Sequence, residues 1–538
     1  MKTHEKKDLK KTSIYRIFIE LVLVGSVTGV IVGIIATFFS ILVHEGEEIS
    51  RGAYAYVREN PIFIPLLVLA LIAGAFLLSV LVNMSSVIRG GGVPQAVGAT
   101  RGIVRFKWWR DLPAMFAASL VSIFLGLSIG AEGPSILIGA AGGDGIASIT
   151  RRNQMIRKYQ VTGGACTGLA VAFNAPLTGM AFAFEEAHKR FTPEVFICAF
   201  SSVIFGMLTR MSIYNTLGME ISSSFHAYKL CDLPIHYYGY VVASGLICGF
   251  SGIAFYKLCL YMRKVFKKIH VKNEWWSNLS RLMTAMLIGG VFSFIAAGVM
   301  GGGHGLIESL GTSGGTSEPA MESIFGLPLV WALLIVLVLK AVIMAINVGA
   351  KIPCGIFIPM LAIGACIGAV LNHIWLKIDP EIAPFCDLLV MISMVAFFTA
   401  IARAPITAII MICEFTGSFV PLLPVIIAVS LGYIIGELCK MEGIYEFFLE
   451  EYEKETGMHE RAEEVVFNLT VEQGAIAEKR DVRDVLWPGN ARVTELLRGE
   501  ERILPSGETV LRSGDVLTIV CKTDEPDKVR EELEHILG

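Results

Sequence analysis

Charged residues are scarce in this chain of 538 residues. Asp, Glu, Lys and Arg make up 17% of the sequence and hydrophobic residues 54%, and the mean hydropathy is +0.63. With so little charge, much of the apolar surface must face something other than water. The composition excludes a soluble globular protein and indicates a polytopic membrane protein.

Motifs typical of catalysis and metal binding are also missing. The eleven cysteines are scattered, mostly within apolar segments, and none forms a C-x-x-C pair. We interpret them as small apolar side chains rather than as a disulfide framework or a metal site. There is no H-E-x-x-H, no G-x-S-x-G within a helical pattern and no convincing pair of acids. An intramembrane hydrolase therefore lacks support, and we expect neither enzymatic activity, nor a cofactor, nor a nucleic-acid partner.

Long apolar runs make up much of the sequence. Each approaches or exceeds the roughly 20 residues that a spanning helix needs. They lie at residues 17–43, 62–81, 112–127, 238–260, 282–299 and 327–348. Three further apolar pieces, at 93–99, 135–147 and 356–370, are short and interrupted by Gly or Pro. We expect broken or half-spanning helices there, which are tolerated at membrane depth only when buried in protein or lining a pathway.

Basic residues cluster outside these runs, at residues 2–11, 101–110, 151–158 and 263–272. The positive-inside bias assigns these segments to the cytoplasm of a multi-pass protein of the cell membrane. Residues 1–13 form a basic cytoplasmic tail. The apolar stretch that follows is too long for a cleaved signal peptide, so we expect a retained first helix.

An internal repeat divides the apolar region. The stretch "NAPLTGMAFAFEE" (174–186) matches "RAPITAIIMICEF" (403–415), and each has a glutamate nine residues after its proline. Upstream of each lies a Gly-rich piece that ends in proline, "GAEGP" (130–134) or "GIFIP" (355–359). The pieces "GGGVP" (90–94) and "GGGHG" (301–305) form a looser third pair. Two homologous halves, 14–235 and 236–448, explain this order, which is typical of transporters and channels.

The last part of the chain has a different character. Residues 449–461 are charged and helical, and they leave the membrane as a linker. Beyond them, "VVFNLTV", "ARVTELLR", "ERILP" and "VLTIVC" alternate like strands between turn signals, and "DEPDKVREELEHIL" closes the chain as an amphipathic helix. Residues 462–538 are therefore predicted to be a small cytoplasmic α+β domain.

The three Gly-rich motifs that end in proline suit helix N-termini that hold an anion. Free N–H groups and the positive end of the helix dipole can coordinate an anion without a fixed charge, glycine lets the backbone approach it, and proline fits the first turn. The alternative is that these glycines only allow close helix packing. The motif residues are Gly90, Gly92, Pro94, Gly130, Gly133, Pro134, Gly355 and Pro359.

A few charged or hydroxyl residues lie within or at the end of the apolar region. Glu132 would compete with an anion when ionised and withdraw when protonated, which would couple anion movement to protons. Glu186 could pass protons toward the cytoplasm, although an acid beside "HKR" is often only part of a surface ion pair. For Glu414 and Lys340, two further charges within the apolar region, we favour structural pairing or snorkelling. Tyr445 ends the apolar region, where anchoring at the membrane interface is the default interpretation.

These motifs resemble those of the CLC chloride channels and proton-coupled chloride transporters. "GAEGPS" is similar to the family's G-[KR]-E-G-P motif, "GIFIP" to G-x-F-x-P and "GGGVP" to G-S-G-x-P, and the resemblance covers about residues 14–450. It implies an all-α membrane protein of two inverted helical repeats, a homodimer with one pore per subunit, and chloride as the bound substrate.

The resemblance also implies roles for individual residues. Glu132 would be the gating glutamate and Glu186 the internal proton glutamate. The N–H groups of Ile356 and Phe357 and the Tyr445 hydroxyl would hold the central anion. The sequence departs from the family at Gly91, where a serine hydroxyl is usual at the anion site, and at Ala131, where a basic residue is usual. The first departure puts the anion preference in doubt, and the second alters the field at the outer mouth.

The tail resembles a TrkA-C (RCK C-terminal) domain through "LPSGETVLRSGDVL", rather than the paired regulatory domains of eukaryotic members, and this favours a prokaryotic source. Such domains dimerise and bind small regulators, so a cyclic dinucleotide is the candidate regulator. The function expected is a proton-coupled chloride antiporter with a cytoplasmic regulatory domain. The alternatives are a passive voltage- or ligand-regulated chloride channel and an exchanger that prefers nitrate or fluoride.

Overall fold

The computed structural model describes residues 2–152, 154–219, 228, 230–271, 273–311, 328–456, 463–488, 491–523 and 526–538. Helices dominate this part of the chain up to residue 456. In the first half they are α1 (Lys2–Glu59), α2 (Ile64–Met84), α3 (Val93–Thr100), α4 (Trp108–Phe124), α5 (Glu132–Ile149), α6 (Gln154–Phe173), α7 (Pro176–Phe182) and α8 (Pro193–Leu217). A short π-helix, Ala183–Ala187, follows α7.

The second half continues with helices α9 to α17. They are α9 (Tyr238–Lys267), α10 (Glu274–Ile295), α11 (His304–Gly311), α12 (Leu329–Gly349), α13 (Phe357–Ile378), α14 (Cys386–Ala402), α15 (Pro405–Thr416), α16 (Leu422–Leu438) and α17 (Ile444–Thr456). Among the described residues, eight helical segments are long and apolar enough to cross a bilayer. The prediction of a multi-pass helical membrane protein is confirmed.

Two boundaries differ from expectation. Helix α1 begins at Lys2, so residues 2–13 belong to the first helix instead of preceding it. Helix α4 ends at Phe124 after 17 residues, because the chain turns at Gly126, whose φ is +72°. The last three residues of the apolar run 112–127 therefore lie beyond the end of the helix.

The prediction of a half-spanning helix is wrong for residues 356–370. Helix α13 runs unbroken for 22 residues, and its glycines serve close packing. A Cβ on Gly364 would lie 2.7 Å from the Cα of Met394 in α14, and one on Gly368 would lie 2.8 Å from the Cα of Val390. Helix α5 is also continuous, and its Gly139 approaches the α6 backbone in the same way. At these positions, close helix packing is the correct interpretation.

The two sequence repeats meet in the interior as two halves of one structure. The amides of Gly130 and Gly355 donate to each other's carbonyls at 2.9 and 2.8 Å. The amides of Gly90 and Gly301 each donate to a carbonyl of the opposite half at 3.1 Å. Helices α7 and α15, which begin the matching A-P-[LI]-T segments, pack against each other. This reciprocal pattern is that of two inverted helical repeats.

The described part of the tail forms a four-stranded antiparallel sheet of order β1-β4-β2-β3 with one covering helix. Its elements are β1 (Glu463–Thr470), β2 (Arg492–Arg498), β3 (Glu501–Ile503), β4 (Val516–Thr523) and α18 (Pro526–Leu537). Leu496, Leu517, Ile519 and Leu533 are fully buried between sheet and helix. The predicted α+β fold is confirmed.

The tail domain contacts the membrane part through ion pairs and hydrogen bonds. Lys158 in α6 pairs with Glu532 in α18 at 3.1 Å, and both side chains are largely buried. Arg480 pairs with Glu194 at the start of α8. Arg190 donates to two backbone carbonyls of the tail. The two parts are therefore held together next to the π-helix segment.

Candidate ion pathway

Three helix starts converge at the centre of the membrane part. Helices α3, α5 and α13 begin just after or within the motifs at 90–94, 130–134 and 355–359. Their glycines interlock, because a Cβ on Gly133 would lie 2.0 Å from the Gly91 carbonyl oxygen and 3.0 Å from the Cα of Gly355. Only glycine permits this approach. Pro94, Pro134 and Pro359 each lie within the first three residues of their helix, where a missing N–H costs nothing.

Glu132 is the first residue of α5 and is almost completely buried, with 2% of its surface exposed. Its Oε2 lies against two glycines, since a Cβ would be 2.1 Å away if built on Gly130 and 2.9 Å away if built on Gly355. Among the described residues, Oε2 has no hydrogen-bond partner. Its Oε1 lies 3.7 Å from Nε2 of His304. The carboxylate therefore occupies the point where the motifs of the two halves meet.

The candidate anion ligands of α13 lie beside this point. Ile356 is the N-cap of the helix and Phe357 its first residue, and amides at a helix start have no intrahelical acceptor. The Phe357 ring is fixed by Phe173 and Phe398, with ring centroids 4.9 and 4.4 Å away. The two amides are thus held on a rigid element.

Tyr445 is the second residue of α17 and is buried, so it is not an exposed anchor at the membrane interface. Within the described chain its hydroxyl has no hydrogen-bond partner. Tyr445, Gly91 and Ile356 line one cavity. The same cavity reaches Arg89, Arg263 and Lys351 together with a single carboxylate, that of Glu455. Each of these cations is paired with a carboxylate, Arg89 with Glu274, Arg263 with Glu451 and Lys351 with Glu455.

Glu186 lies in the π-helix and is buried, so its carboxyl is not a surface group. Its Oε1 has no hydrogen-bond partner among the described residues. Arg101 donates to the backbone carbonyls of Glu186 and Ala187 and forms a 2.8 Å ion pair with Glu446. Both Glu132 and Glu186 lie within Coulombic range of the Tyr445 hydroxyl. Both acids therefore lie close enough to the candidate anion site to act on it electrostatically.

The other intramembrane charges have structural partners. Lys340 is fully buried and donates to Ser128 Oγ and to the carbonyls of Val299 and Gly301 at 3.2–3.3 Å, so it does not snorkel. Glu414 accepts hydrogen bonds from the first amides of α7. In the described ranges, no group of three or more His, Cys, Asp or Glu residues could hold a metal ion.

Sequence reasoning missed three residues around the pathway. In the sequence Arg101 is only one member of a basic cluster, although its side chain donates hydrogen bonds to the backbone of the π-helix. Glu185 enters the sequence analysis only through the spacing of the repeat, nine residues after Pro176, and without a role of its own. His304 stood within "GGGHG" without a role, although that motif was matched with "GGGVP" and could have directed attention to it.

A family model described as voltage gated chloride channel matches residues 74–437, more than half of the chain. The chain belongs to the CLC family. A TrkA-C domain model matches residues 466–534 of this CLC protein. Both resemblances seen in the sequence are confirmed.

Relatives and solved structures are similar to most of this CLC chain. The H(+)/Cl(-) exchange transporter ClcA of Vibrio cholerae serotype O1 (strain M66-2) is 30% identical over 417 residues, which cover 76% of this chain and 84% of the relative. The protein of the same name from Yersinia pseudotuberculosis serotype IB (strain PB1/+) is 27% identical over 438 residues, covering 80% and 87%.

Two crystal structures share the fold. A slow cyanobacterial Cl⁻/H⁺ antiporter has a TM-score of 0.69 at 23% identity and covers 80% of this chain and 97% of its own. A CLC-type fluoride/proton antiporter has a TM-score of 0.61 at 20% identity, covering 79% and 96%. Since both a Cl⁻/H⁺ antiporter and a fluoride/proton antiporter have this fold, the fold alone does not identify the anion.

Proposed function

We propose that this CLC protein is a chloride/proton antiporter in which Glu132 competes with the anion. The observation that carries the proposal is the position of the Glu132 carboxylate, buried at the start of α5 against Gly130 and Gly355. A carboxylate there occupies a place built for an anion. Protonation removes its charge, so the carboxyl leaves and an anion enters.

The anion would be held by dipoles rather than by a full positive charge. The amides of Ile356 and Phe357 and the Tyr445 hydroxyl supply these donors, and they offset a desolvation cost that would otherwise reach tens of kcal/mol. Because these proposed ligands are dipoles and carry no full charge, the anion can leave again.

Glu186 is proposed as the second proton site, on the side of the tail domain. Its burial and its position within Coulombic range of the Tyr445 hydroxyl support this role. Two separate acids let protons and anions take routes that differ on one side of the membrane. A passive channel needs no such second acid, so Glu186 favours exchange over conduction. The two ClcA relatives, named as H(+)/Cl(-) exchange transporters, support the same function.

The alternatives are a passive chloride channel and an exchanger that prefers nitrate or fluoride. Gly91 keeps the question of the anion open, because the serine hydroxyl usual in the family is missing there. The fluoride alternative is weakened by the G-x-F-x-P form of the motif at 355–359.

The test is purified protein in liposomes with an imposed chloride gradient and a pH readout. We expect protons to move against their own gradient, and Glu132→Gln to abolish that movement. The matched control is Glu381→Gln, because Glu381 is exposed and lies outside the pathway. Chloride flux without proton movement in the wild type would establish a channel. The same assay with nitrate or fluoride gradients identifies the preferred anion.

We further propose that the tail is a cytoplasmic regulatory domain and that the protein is a homodimer. The tail contacts at Lys158 and Glu194, close to the π-helix that carries Glu186, support regulation of the proton site. We expect a cyclic dinucleotide to bind the full-length protein and change its turnover. Arg480→Glu should uncouple that response, and the exchanged pair Glu194→Arg with Arg480→Glu should restore it. Cross-linking in membranes tests the dimer.

A further inference from the structure

We propose that His304 delivers protons to Glu132 and positions its carboxylate on the membrane face opposite the tail domain. This inference rests on the proposed antiport, to which it adds the residue that serves Glu132 from that side. His304 Nε2 lies 3.7 Å from Glu132 Oε1. The imidazole is 38% exposed and the carboxylate only 3%, so His304 connects a buried acid with solvent.

The location of His304 follows from helix α1. About a third of the way along α1, Glu20 pairs with Arg152. Arg152 lies on the loop before α6, the helix whose Lys158 contacts the tail domain. Glu47 lies roughly 40 Å further along α1, at about 1.5 Å per residue. That distance exceeds the ~30 Å hydrocarbon core of a bilayer. Glu47 Oε1 accepts a hydrogen bond from the Gly302 amide, so the loop that carries His304 lies at the far face.

The loop before His304 is held firmly. Gly301 and Gly303 have φ values of +61° and +108°, which glycine adopts without strain. Lys340 donates to the Gly301 carbonyl at 3.3 Å, and Glu47 holds the Gly302 amide at 3.1 Å. These contacts place the imidazole at the start of α11 with little freedom of the backbone. The ring can then change its protonation without moving the loop.

Several charged groups lie around the imidazole. They are Glu47 and Arg51 of α1, Glu132 of α5, Glu308 of α11 and Lys340 of α12. Glu47 is already paired with Arg51 at 3.1 Å, and Lys340 is directed at carbonyls. Glu132 is therefore the carboxylate directly opposite Nε2 that has an oxygen without a hydrogen-bond partner in the described chain.

The proposed step transfers one proton from His304 to Glu132. The imidazolium gives the proton on Nε2 to Oε1 of Glu132, which leaves a neutral imidazole and a neutral carboxyl. A hydronium ion from the solvent at the exposed side of the ring then gives one proton to the imidazole and becomes water. A distance of 3.7 Å is slightly beyond a hydrogen bond, so a small ring rotation or one bridging water completes the contact. Histidine is suited to this task because it exchanges protons between about pH 5 and 8.

The experiment measures proton-coupled chloride flux in liposomes while the pH is varied only on the face opposite the tail. The wild type should show a titration step between about pH 5 and 8, and His304→Gln should remove it and slow proton turnover roughly tenfold or more. In His304→Ala, imidazole added on that face should restore turnover. His44→Gln is the matched control, because His44 is an exposed histidine of α1 near the same face.

The outcomes separate the two proposals. A wild type without the titration step, or a His304→Gln protein with an unchanged pH profile, overturns the role of His304 and leaves the antiport intact. If Glu132→Gln still moves protons, the antiport mechanism itself fails, whatever His304 does. Rescue by imidazole in His304→Ala but not in Glu132→Gln supports both, since a merely structural role of His304 gives no such rescue.

Discussion

Glu185 and Glu414 cap each other's helices across the two halves of the protein. The Glu185 carboxylate accepts hydrogen bonds from the Ile406 and Thr407 amides of α15 at 2.8 and 2.6 Å. The Glu414 carboxylate accepts from the first amides of α7 at 2.7 Å each. Each acid follows the proline of its own helix by nine residues, so the repeated spacing seen in the sequence is a reciprocal capping arrangement. It satisfies free N–H groups of a helix start with a negative charge.

Substitutions of the adjacent Glu185 and Glu186 should therefore have different effects, one on stability and the other on proton coupling. Glu185→Gln replaces one accepting oxygen with an amide N–H₂ and should cost about 1.5–3 kcal/mol of stability while leaving the proton site in place. Glu186→Gln should leave stability close to that of the wild type and remove proton coupling. Thermal unfolding in detergent and liposome flux measure the two effects. A Glu185→Gln protein with wild-type stability would contradict the capping role.

The parts of the fold predicted from sequence were those with local causes. The Gly-rich motifs indicated helix starts, and the two A-P-[LI]-T segments indicated two halves. The predictions that failed concern residues whose contacts are made with parts of the chain that are distant in sequence. Glu185 reaches amides 221 residues away, which no local pattern shows. Gly364 and Gly368 could be interpreted as a helix break until α14 was seen against them. Tyr445 at the end of an apolar run has the same local pattern whether it is buried or at the interface.

Gly133→Ala should disrupt the junction of the three helix starts. The added Cβ would lie 2.0 Å from the Gly91 carbonyl oxygen, which is backbone and cannot rotate away. We expect a loss of about 1–3 kcal/mol or more and little chloride flux. The matched control is Gly52→Ala in α1, where no atom lies within 4 Å, and which should gain about 0.5–1 kcal/mol. Unfolding midpoints and flux are the measurements. Equal behaviour of the two variants would show that the close contact is not needed.

Gly91→Ser should change the anion preference. A Cβ there would meet only the Cys354 carbonyl oxygen, at 3.2 Å, so the serine fits after a small shift. Its hydroxyl adds one donor to the anion site, worth about 0.5–1.5 kcal/mol. The ratio of chloride to nitrate flux should then shift by about two- to tenfold. Gly91→Ala supplies the Cβ without the hydroxyl and should leave the ratio unchanged. If Gly91→Ala shifts the ratio as much as Gly91→Ser, size rather than the hydroxyl determines the preference.

In the tail domain, Asp515 should make stability depend on pH. Burial favours a higher pKa for this carboxyl, but hydrogen bonds from Arg498 and the Arg512 amide, with the Arg498 charge, outweigh it and hold the pKa below its usual value. The guanidinium binds both carboxylate oxygens at 2.7 and 2.8 Å. A carboxyl whose pKa is depressed by folding stabilises the fold above its unfolded pKa, about 3.9 for Asp. That contribution is lost as the pH falls through the lower, folded value.

Asp515→Asn should therefore destabilise the tail at pH 7 by about 1.5–3 kcal/mol, since Arg498 keeps only a neutral acceptor. Hydrogen exchange of the β2 and β4 amides in the full-length protein should rise by about 10- to 150-fold, provided that exchange follows opening of the sheet. The difference from the wild type should persist at pH 5 and disappear only below the usual carboxyl range. Glu534→Gln, which breaks the exposed pair with Arg530, is the control and should change exchange little. If Asp515→Asn leaves the β4 amides as protected as in the wild type at pH 7, the Arg498 pair does not stabilise the sheet.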